Sequence, residues 1–138
     1  MSDDCIFCKI IEGKIPCAKV YDQGGIFAFL DIAPVNKGHA LVVPKAHHAT
    51  LFDLPPDIGR ELLSALKLVG AAVMQATGAA GLNVGMNNFE VAGQLVHHAH
   101  FHLIPRHEGD GLRLWTQHAY ESGEEMQKLA QAVKKAIG

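Results

Sequence analysis

The segment His98-Ala-His-Phe-His-Leu-Ile104 alternates histidines with apolar residues. Successive side chains of a β-strand point to opposite faces, so this period of two would place the imidazoles on one face and Ala99, Phe101 and Leu103 on the other. Neighbouring imidazoles disfavour each other's charged forms, and a neutral imidazole is a nucleophile and a proton carrier. The pattern therefore predicts a strand that packs on a core with one face and carries a reactive site on the other.

The composition restricts the class of protein. The chain has 138 residues, of which 49% are hydrophobic, so we expect one domain over residues 1–138. A net charge of -2 provides no broad basic surface for extended nucleic acid. The sequence shows no secretory signal pattern and no apolar run of the ~18 residues that a membrane span needs, so we expect a soluble, cytoplasmic protein.

Apolar periodicity and turn residues predict an α+β fold with a bent antiparallel sheet of about five strands. A long helix is expected over Ile58–Thr77, and a carboxy-terminal amphipathic helix over Glu124–Ile137. Three strands are expected between Tyr21 and Val43. Two of them are Ile26–Asp31 and His39–Val43, which Pro34–Gly38 connects. Two later strands are expected over Leu82–Met86 and Leu95–Ile104; Asn87–Gln94 forms the loop between them, and Pro105 ends the second.

The cysteines favour a metal site over a disulfide framework. Cys5 and Cys8 are separated by two residues, a spacing that lets both thiolates reach one zinc ion. The remaining ligands would be histidines, for which the candidates are His47, His48 and His98. Alternatively, Cys5 and Cys8 are free thiols in a hydrophobic amino-terminal segment. We expect Cys17 to be a small buried residue.

Within the alternating segment, His100 has a histidine on either side. It is therefore the residue best placed to attack an electrophile such as phosphorus, while its neighbours orient it or bind the developing charge. The competing interpretation is that one or two of the imidazoles are satisfied polar groups on a half-exposed strand.

Three blocks of the sequence resemble one family. The segment from His98 to Ile104 matches the His-x-His-x-His-x-x signature of the histidine triad superfamily of nucleotide hydrolases and transferases, and Ala92-Gly-Gln94 and Pro105-Arg106 agree with its flanks. Cys5 to Pro16 resembles the start of the Hint branch, which contains adenosine phosphoramidases, and Gly38 to His47 resembles its second block. The resemblance extends from Cys5 to His107.

The resemblance implies the roles of individual residues. His100 would attack the α-phosphorus and become transiently nucleotidylated, with His98 and His102 beside it, His102 donating to a phosphate oxygen, and His39 nearby. The nucleoside pocket would include Phe29, Asp31 and Ile32, with the Asp31 carboxylate accepting from the ribose hydroxyls. Asn87, Gln94 and Leu95 would lie near the phosphate or the leaving group. On residue type alone, Phe29 and Ile32 are core residues, and Asn87 is a turn former.

The resemblance also implies a cofactor and an assembly. In zinc-bearing relatives the ligands map onto Cys5, Cys8, His47 and His98, which form a closed and therefore structural zinc site. Zinc on His98 would hold the histidine segment so that His100 stays aimed. The family implies a homodimer joining two sheets, and Leu114 and Trp115 are candidates for contact with the second copy.

The chain departs from the family pattern at positions that bear on its substrate. Leu95 replaces a small hydroxyl residue, so a side-chain contact to phosphate is lost. Phe89 replaces a common glycine on the leaving-group side, and His97 is an additional histidine expected on the opposite sheet face.

The favoured function is a hydrolase that releases AMP or GMP from purine nucleoside phosphoramidates. One alternative is a dinucleoside polyphosphate hydrolase with the same nucleophile. The other is a nucleotide-binding regulatory module with little turnover, for which Leu95 is the evidence.

Overall fold

The structure is a computed structural model that describes residues 4–138. Within this range the strands are β1 (Lys19–Gln23), β2 (Ile26–Leu30), β3 (Ala40–Pro44), β4 (Gly81–Gly85) and β5 (Phe101–Arg106), and the helices are α1 (Ile6–Ile11), α2 (Gly59–Thr77) and α3 (Gly123–Ile137). The described strands form one antiparallel sheet in the order β1-β2-β3-β5-β4. This arrangement confirms the predicted α+β class.

The two faces of the sheet pack against different helices. α2 contributes Ala65, Val69 and Val73 to a core with inward-facing strand residues that include Leu103. On the opposite face, α1 and the residue before it cover the sheet; this core contains Cys5, Phe7, Cys8, Phe27, Phe29, Leu41 and Val43. β2 and β3 are apolar along their whole length because both of their faces are buried.

The prediction of a strand over Leu95–Ile104 was wrong at both ends. β5 begins at Phe101, where pairing with Val42 of β3 begins; before it, the Ala99 N–H donates to the carbonyl of His48, outside the sheet, at 2.6 Å. β5 also continues through Pro105, which pairs with Leu82 of β4. β3 pairs with β5 only over Phe101–Leu103, so Pro105 lies beyond that ladder, where proline is tolerated.

Other local predictions also differ from the structure. α1 was not predicted as a helix; Cys5 caps it by accepting from the Cys8 N–H at 3.3 Å. Cys17 is exposed rather than buried, because it lies in the connection between α1 and β1. His97 is exposed before β5 begins and does not lie on the opposite sheet face.

The connection between β2 and β3 positions His39 directly before β3. The His39 N–H donates to the carbonyl of Asn36 at 2.9 Å, and the Asn36 side chain donates to the carbonyl of Pro105 at 2.8 Å. Gly38 has a φ of +97°, and a Cβ there would lie 2.5 Å from a methyl group of Thr77. Glycine is therefore required where this connection passes the end of α2.

The carboxy-terminal region presents apolar side chains to solvent. Leu114 and Trp115 are exposed, as are Met126, Leu129, Val133 and Ile137, which recur at helical intervals along α3. The helices within residues 4–138 do not include one that is both long and apolar enough to cross a membrane.

Candidate active site

The three alternating histidines, His98, His100 and His102, form the triad and lie on the side of the sheet that α1 covers. The ring of Phe7 contacts the rings of His98 and His100 edge-on, with centroids 5.9 and 5.1 Å apart. The ring of His102, which lies in β5, is 5.0 Å from that of His100. Phe101 and Leu103 pack on the α2 side. The predicted separation of imidazoles from these apolar residues is therefore present, although His98 and His100 precede the strand.

A hydrogen bond to the backbone orients His100. Its Nδ1 lies 2.7 Å from the carbonyl oxygen of His98, which can only accept, so Nδ1 carries the proton. In the neutral ring, the lone pair is then on Nε2. His100 is 7% exposed, and burial lowers its pKa from the usual value despite the opposing backbone hydrogen bond and Asp31. The arrangement supplies a neutral nitrogen nucleophile near pH 7.

A second chain of hydrogen bonds fixes the tautomer of His102. The Val35 N–H donates to Nδ1 of His39 at 3.1 Å, so the proton of a neutral His39 is on Nε2. That Nε2 lies 2.9 Å from Nδ1 of His102, which must accept. His102 consequently carries its own proton on Nε2, a donor suited to a phosphate oxygen.

Burial keeps these imidazoles neutral. Desolvation is the largest cause of the lowered pKa of His39, and the nearby Asp31 carboxylate opposes it. Desolvation, followed by the neighbouring His100 and His39, lowers the pKa of His102 to about 4. The tautomers assigned above are therefore those that populate the site at neutral pH.

A cavity of about 670 Å³ opens beside His100 and His102. This volume is in the range of small-molecule sites. One wall is apolar and is formed by α1 and the chain that follows it, through Phe7, Ile10 and Ile15. The end of β2 contributes the predicted residues Phe29, Asp31 and Ile32, and the loop before the triad contributes Asn87, Gly93 and Leu95.

The predicted substrate residues differ in how they face this cavity. Phe29 is buried, whereas Ile32 and Leu95 are exposed. The Oδ1 atom of Asp31 accepts from the Ala33 N–H at 2.9 Å, which leaves Oδ2 directed to other partners; it lies 3.8 Å from Nε2 of His39.

Gln94 is organised differently from the other predicted substrate residues. Its side chain is buried, accepts from the Phe89 N–H at 2.8 Å, and donates to the carbonyls of Ala49 and Val96 at 2.6 and 3.0 Å. These contacts hold the loop that forms the cavity wall. Neither these contacts nor the one from the Val35 amide could be predicted from the sequence, because hydrogen bonds to the backbone depend on the folded path of the chain.

Cys5, Cys8, His47 and His98 form a tight group with all four ligand atoms within 4.8 Å of one another. Nδ1 of His98 lies 3.4 Å from Sγ of Cys5 and 3.6 Å from Sγ of Cys8, and Nδ1 of His47 lies 3.4 Å from Sγ of Cys8. Tetrahedral zinc with its usual bond lengths separates sulfur from nitrogen by about 3.5 Å. Of the two adjacent histidines, His47 rather than His48 therefore joins the group.

The protonation of His98 also fits a metal. Its Nε2 lies 2.8 Å from the carbonyl oxygen of Pro44 and must donate, which leaves the lone pair of Nδ1 facing the thiols. Asp31, His39 and His102 form another compact group among the described residues. There, however, the Val35 amide places a proton on the His39 nitrogen that faces the other ligands. The donor set therefore fits zinc at the cysteine site and not at this second group.

The fold and the site define an α+β protein in which a buried, neutral histidine opens onto an apolar cavity. The family model described as HIT domain matches residues 12–109. The chain belongs to the HIT domain family.

Two curated relatives cover nearly all of the chain. The adenosine 5'-monophosphoramidase hnt1 of Schizosaccharomyces pombe is 42% identical over 135 residues, covering 96% of this chain and 98% of that protein. The adenylylsulfatase HINT3 of Arabidopsis thaliana is 36% identical over 142 residues, covering 99% of this chain and 71% of that protein.

Solved structures share the fold. SMU.412c from Streptococcus mutans superposes with a TM-score of 0.94 at 38% identity, covering 100% of this chain and 88% of that one. A zinc-bound histidine triad family protein from Mycobacterium smegmatis superposes with a TM-score of 0.70 at 32% identity, covering 96% and 97%.

Proposed function

We propose that the protein is a hydrolase that acts at the α-phosphate of purine nucleotides through a nucleotidylated His100. The observation that carries this proposal is the hydrogen bond from Nδ1 of His100 to the carbonyl of His98, which leaves the Nε2 lone pair available at the cavity. The names of two relatives, an adenosine 5'-monophosphoramidase and an adenylylsulfatase, also support chemistry on adenosine nucleotides.

The reaction would proceed by two displacements. Nε2 of His100 attacks the α-phosphorus, the bond from phosphorus to the leaving nitrogen breaks, and that nitrogen takes up a proton. Water then attacks the same phosphorus and gives up a proton, the bond to His100 breaks, and the nucleoside monophosphate leaves. The N–H at Nε2 of His102 would stabilise charge on the phosphate oxygens in both transition states.

The cavity would hold the nucleoside next to this nucleophile. Phe29 and the apolar residues of α1 offer faces for a purine, and Asp31 offers an oxygen acceptor for the ribose hydroxyls. Asn87 and Leu95 would border the phosphate. Because Leu95 has no hydroxyl, its backbone N–H would be the donor at that position. We favour a phosphoramidate as substrate because the relative at 42% identity carries that activity in its name.

The substrate class is tested by two parallel incubations followed by detection of AMP, one with lysyl-adenosine phosphoramidate and one with diadenosine tetraphosphate. We expect turnover of the first. Turnover of the second compound alone would mean that the protein is a dinucleoside polyphosphate hydrolase. Turnover of neither compound would contradict the proposal that the protein is an enzyme of this class. A rapid-quench experiment with mass spectrometry should find a nucleotidyl adduct on His100.

We also propose that Cys5, Cys8, His47 and His98 hold a structural zinc ion. Four protein ligands close the coordination shell, so the ion would anchor the histidine segment to α1. Zinc binding requires reduced thiols, which is the basis for proposing a cytoplasmic location.

We further propose a homodimer. The exposed apolar row on α3, which includes Met126, Leu129 and Val133, is the type of surface that a second copy covers. Light scattering on the full chain should give twice the chain mass. Leu129→Glu should shift it toward the monomer, whereas Lys128→Glu, on the same helix, should not. A monomeric wild-type protein would contradict the proposal.

A further inference from the structure

Phe89 adopts a backbone conformation that side chains other than glycine rarely adopt. Its φ is +74° and its ψ is +155°. This region is essentially restricted to glycine, and a non-glycine residue remains there only when the surrounding structure enforces it. Strain of this kind is concentrated at functional sites, so the reason for a phenylalanine at this position has to be sought in its ring.

Hydrogen bonds hold Phe89 in this conformation. Its N–H donates to the buried side chain of Gln94 at 2.8 Å. Its carbonyl accepts from the backbone N–H groups of Ala92 and Gln94, both at 3.1 Å. The backbone of Phe89 is thus fixed on both sides of its Cα, and the direction of the ring is fixed with it.

The ring of Phe89 is stacked with that of Phe52. The centroids are 6.1 Å apart and the planes are inclined by 15°. Phe52 is 75% exposed and Phe89 is 56% exposed, so most of both rings faces solvent. We refer to Phe52 and Phe89 together as the aromatic shelf.

Polar contacts tie the two halves of the aromatic shelf together. The Leu51 N–H donates to the side-chain oxygen of Asn88 at 2.8 Å, next to both rings in the sequence. The Gln94 amide donates to the carbonyl of Ala49 at 2.6 Å. The shelf is therefore a preorganised surface, which lowers the entropic cost of binding a ligand to it.

The loop that carries Phe89 borders the reactive end of the cavity, although neither ring of the aromatic shelf lines it. The loop that carries Phe89 contributes Asn87, Gly93 and Leu95 to the cavity wall, together with His100 and His102. The apolar wall suited to the nucleoside is formed by other elements, α1 and the end of β2. A group attached to the α-phosphorus opposite the nucleoside would extend from the cavity toward this loop.

We propose that the aromatic shelf binds a planar aromatic group on the leaving-group side of the α-phosphorus. The proposal rests on the proposed function for the position of the phosphorus. Stacked rings with exposed faces recognise another flat ring, and such a pair contributes enough to change affinity several-fold. The aromatic group would belong either to an arylalkyl amine or to a second nucleobase.

The test compares adenosine 5'-phosphoramidates of 2-phenylethylamine and 2-cyclohexylethylamine, whose leaving amines differ mainly in the flatness of the ring. We expect the wild-type protein to favour the phenyl compound by about 5-fold in kcat/KM, mostly through KM. Phe52→Ala and Phe89→Gly should each reduce this preference toward unity. Val91→Ala, a matched change on the same exposed loop, should retain it.

A further arm distinguishes the two sources of the aromatic group. Diadenosine tetraphosphate is compared with adenosine tetraphosphate as a competitor of the reaction. If the shelf binds a second nucleobase, the dinucleotide inhibits more strongly and Phe52→Ala removes the difference. If the two compete equally while the phenyl preference holds, the aromatic group belongs to an arylalkyl amine.

Binding measurements separate failure of the aromatic shelf from failure of the proposed function. Calorimetry with His100→Ala compares the affinities for the two phosphoramidates without turnover. A phenyl preference that Phe52→Ala abolishes would support the shelf even if the wild-type protein hydrolyses neither compound. Equal affinities, or a preference unaffected by Phe52→Ala and Phe89→Gly, would overturn it.

Discussion

Nε2 of His39 lies 2.9 Å from Nδ1 of His102, so the His39 side chain connects β5 to the backbone amide of Val35. Because an amide N–H can only donate, the protons of both rings are placed by a group that does not titrate. The placement of the His102 proton on Nε2 therefore originates in the connection between β2 and β3.

Replacing His39 tests the hydrogen-bond relay from the Val35 amide through His39 to His102. His39→Ala should lower kcat by about 10- to 100-fold and leave KM nearly unchanged, because His102 loses its fixed tautomer while the cavity remains. His39→Gln should recover part of the activity, since its amide N–H can donate to Nδ1 of His102. His118→Ala, a histidine in the exposed carboxy-terminal region, is the matched control. A rise in KM with unchanged kcat would contradict the relay.

Replacing His100 tests the nucleophile. His100→Ala should reduce turnover by at least about 10³-fold and leave nucleotide affinity measurable, since in the proposed mechanism this side chain forms the covalent bond and contributes little to ground-state binding. His97→Ala removes an exposed imidazole from the same segment and should have little effect. Steady-state kinetics and calorimetry on the three proteins give the comparison. A comparable kcat in His100→Ala would mean that another residue attacks.

The pKa of His102, lowered to about 4, predicts the acid side of the activity profile. His102 must be neutral for Nδ1 to accept from His39, and it stays neutral until the pH approaches that value. With respect to His102, kcat/KM should therefore remain level as the pH falls through 6.5 and decline only as it approaches about 4. His102→Gln removes this titration. A decline in wild-type activity centred at pH 6.5 that is absent in His102→Gln would contradict the lowered pKa.

The same pKa determines how stability depends on pH. The unfolded chain binds the His102 proton below pH 6.5, whereas the folded chain binds it only near pH 4. The unfolded state thus holds more protons in this window, so the free energy of unfolding should decrease as the pH falls from 6.5 toward 4. Urea unfolding at a series of pH values checks this, and the decrease should be smaller in His102→Gln.

The sequence was sufficient to predict the sides on which the triad and its neighbours lie. The two-residue period from His98 to His102 separates the imidazoles from Phe101 and Leu103 whether or not the backbone is paired, because an extended chain alternates in either case. The start of β5 could not be predicted from this period. It depends on where the chain begins to pair with β3 and β4, at Val42 and Gly85, and that is set by contacts between segments distant in the sequence.

The group formed by Cys5, Cys8, His47 and His98 was also only partly predictable. The spacing of Cys5 and Cys8 indicates that both thiolates could bind one metal ion. The choice between His47 and His48 depends on which of the two side chains, after the end of β3, points toward α1. Likewise, the sequence identified Phe89 as unusual, whereas its stacking on Phe52 follows from the approach of two loops that are 37 residues apart.

Zinc in the cysteine group should contribute to stability. Cys8→Ser should reduce the zinc content of the purified protein from about one ion per chain to nearly none, and lower the melting temperature by about 5 °C or more, because the ion binds only the folded site. Cys17→Ser changes an exposed thiol outside the group and should alter neither quantity. Equal zinc content in wild-type protein and Cys8→Ser, or none in the wild-type protein, would contradict this site.

Because the backbone is strained at Phe89, glycine should be more stable than alanine at this position, which is the reverse of their usual order of stability. In the interior of a helix or strand, a protein with glycine is less stable than one with alanine by about 0.5–1 kcal/mol. At a φ of +74° and a ψ of +155°, alanine keeps a strain of about 1–3 kcal/mol that glycine lacks. Phe89→Gly should therefore be more stable than Phe89→Ala by about 1 kcal/mol in urea unfolding. Ala92→Gly, in the turn that follows, should instead lower the stability. If Phe89→Ala proved to be the more stable variant, the backbone at this position would be relaxed, and the ring would need no functional explanation.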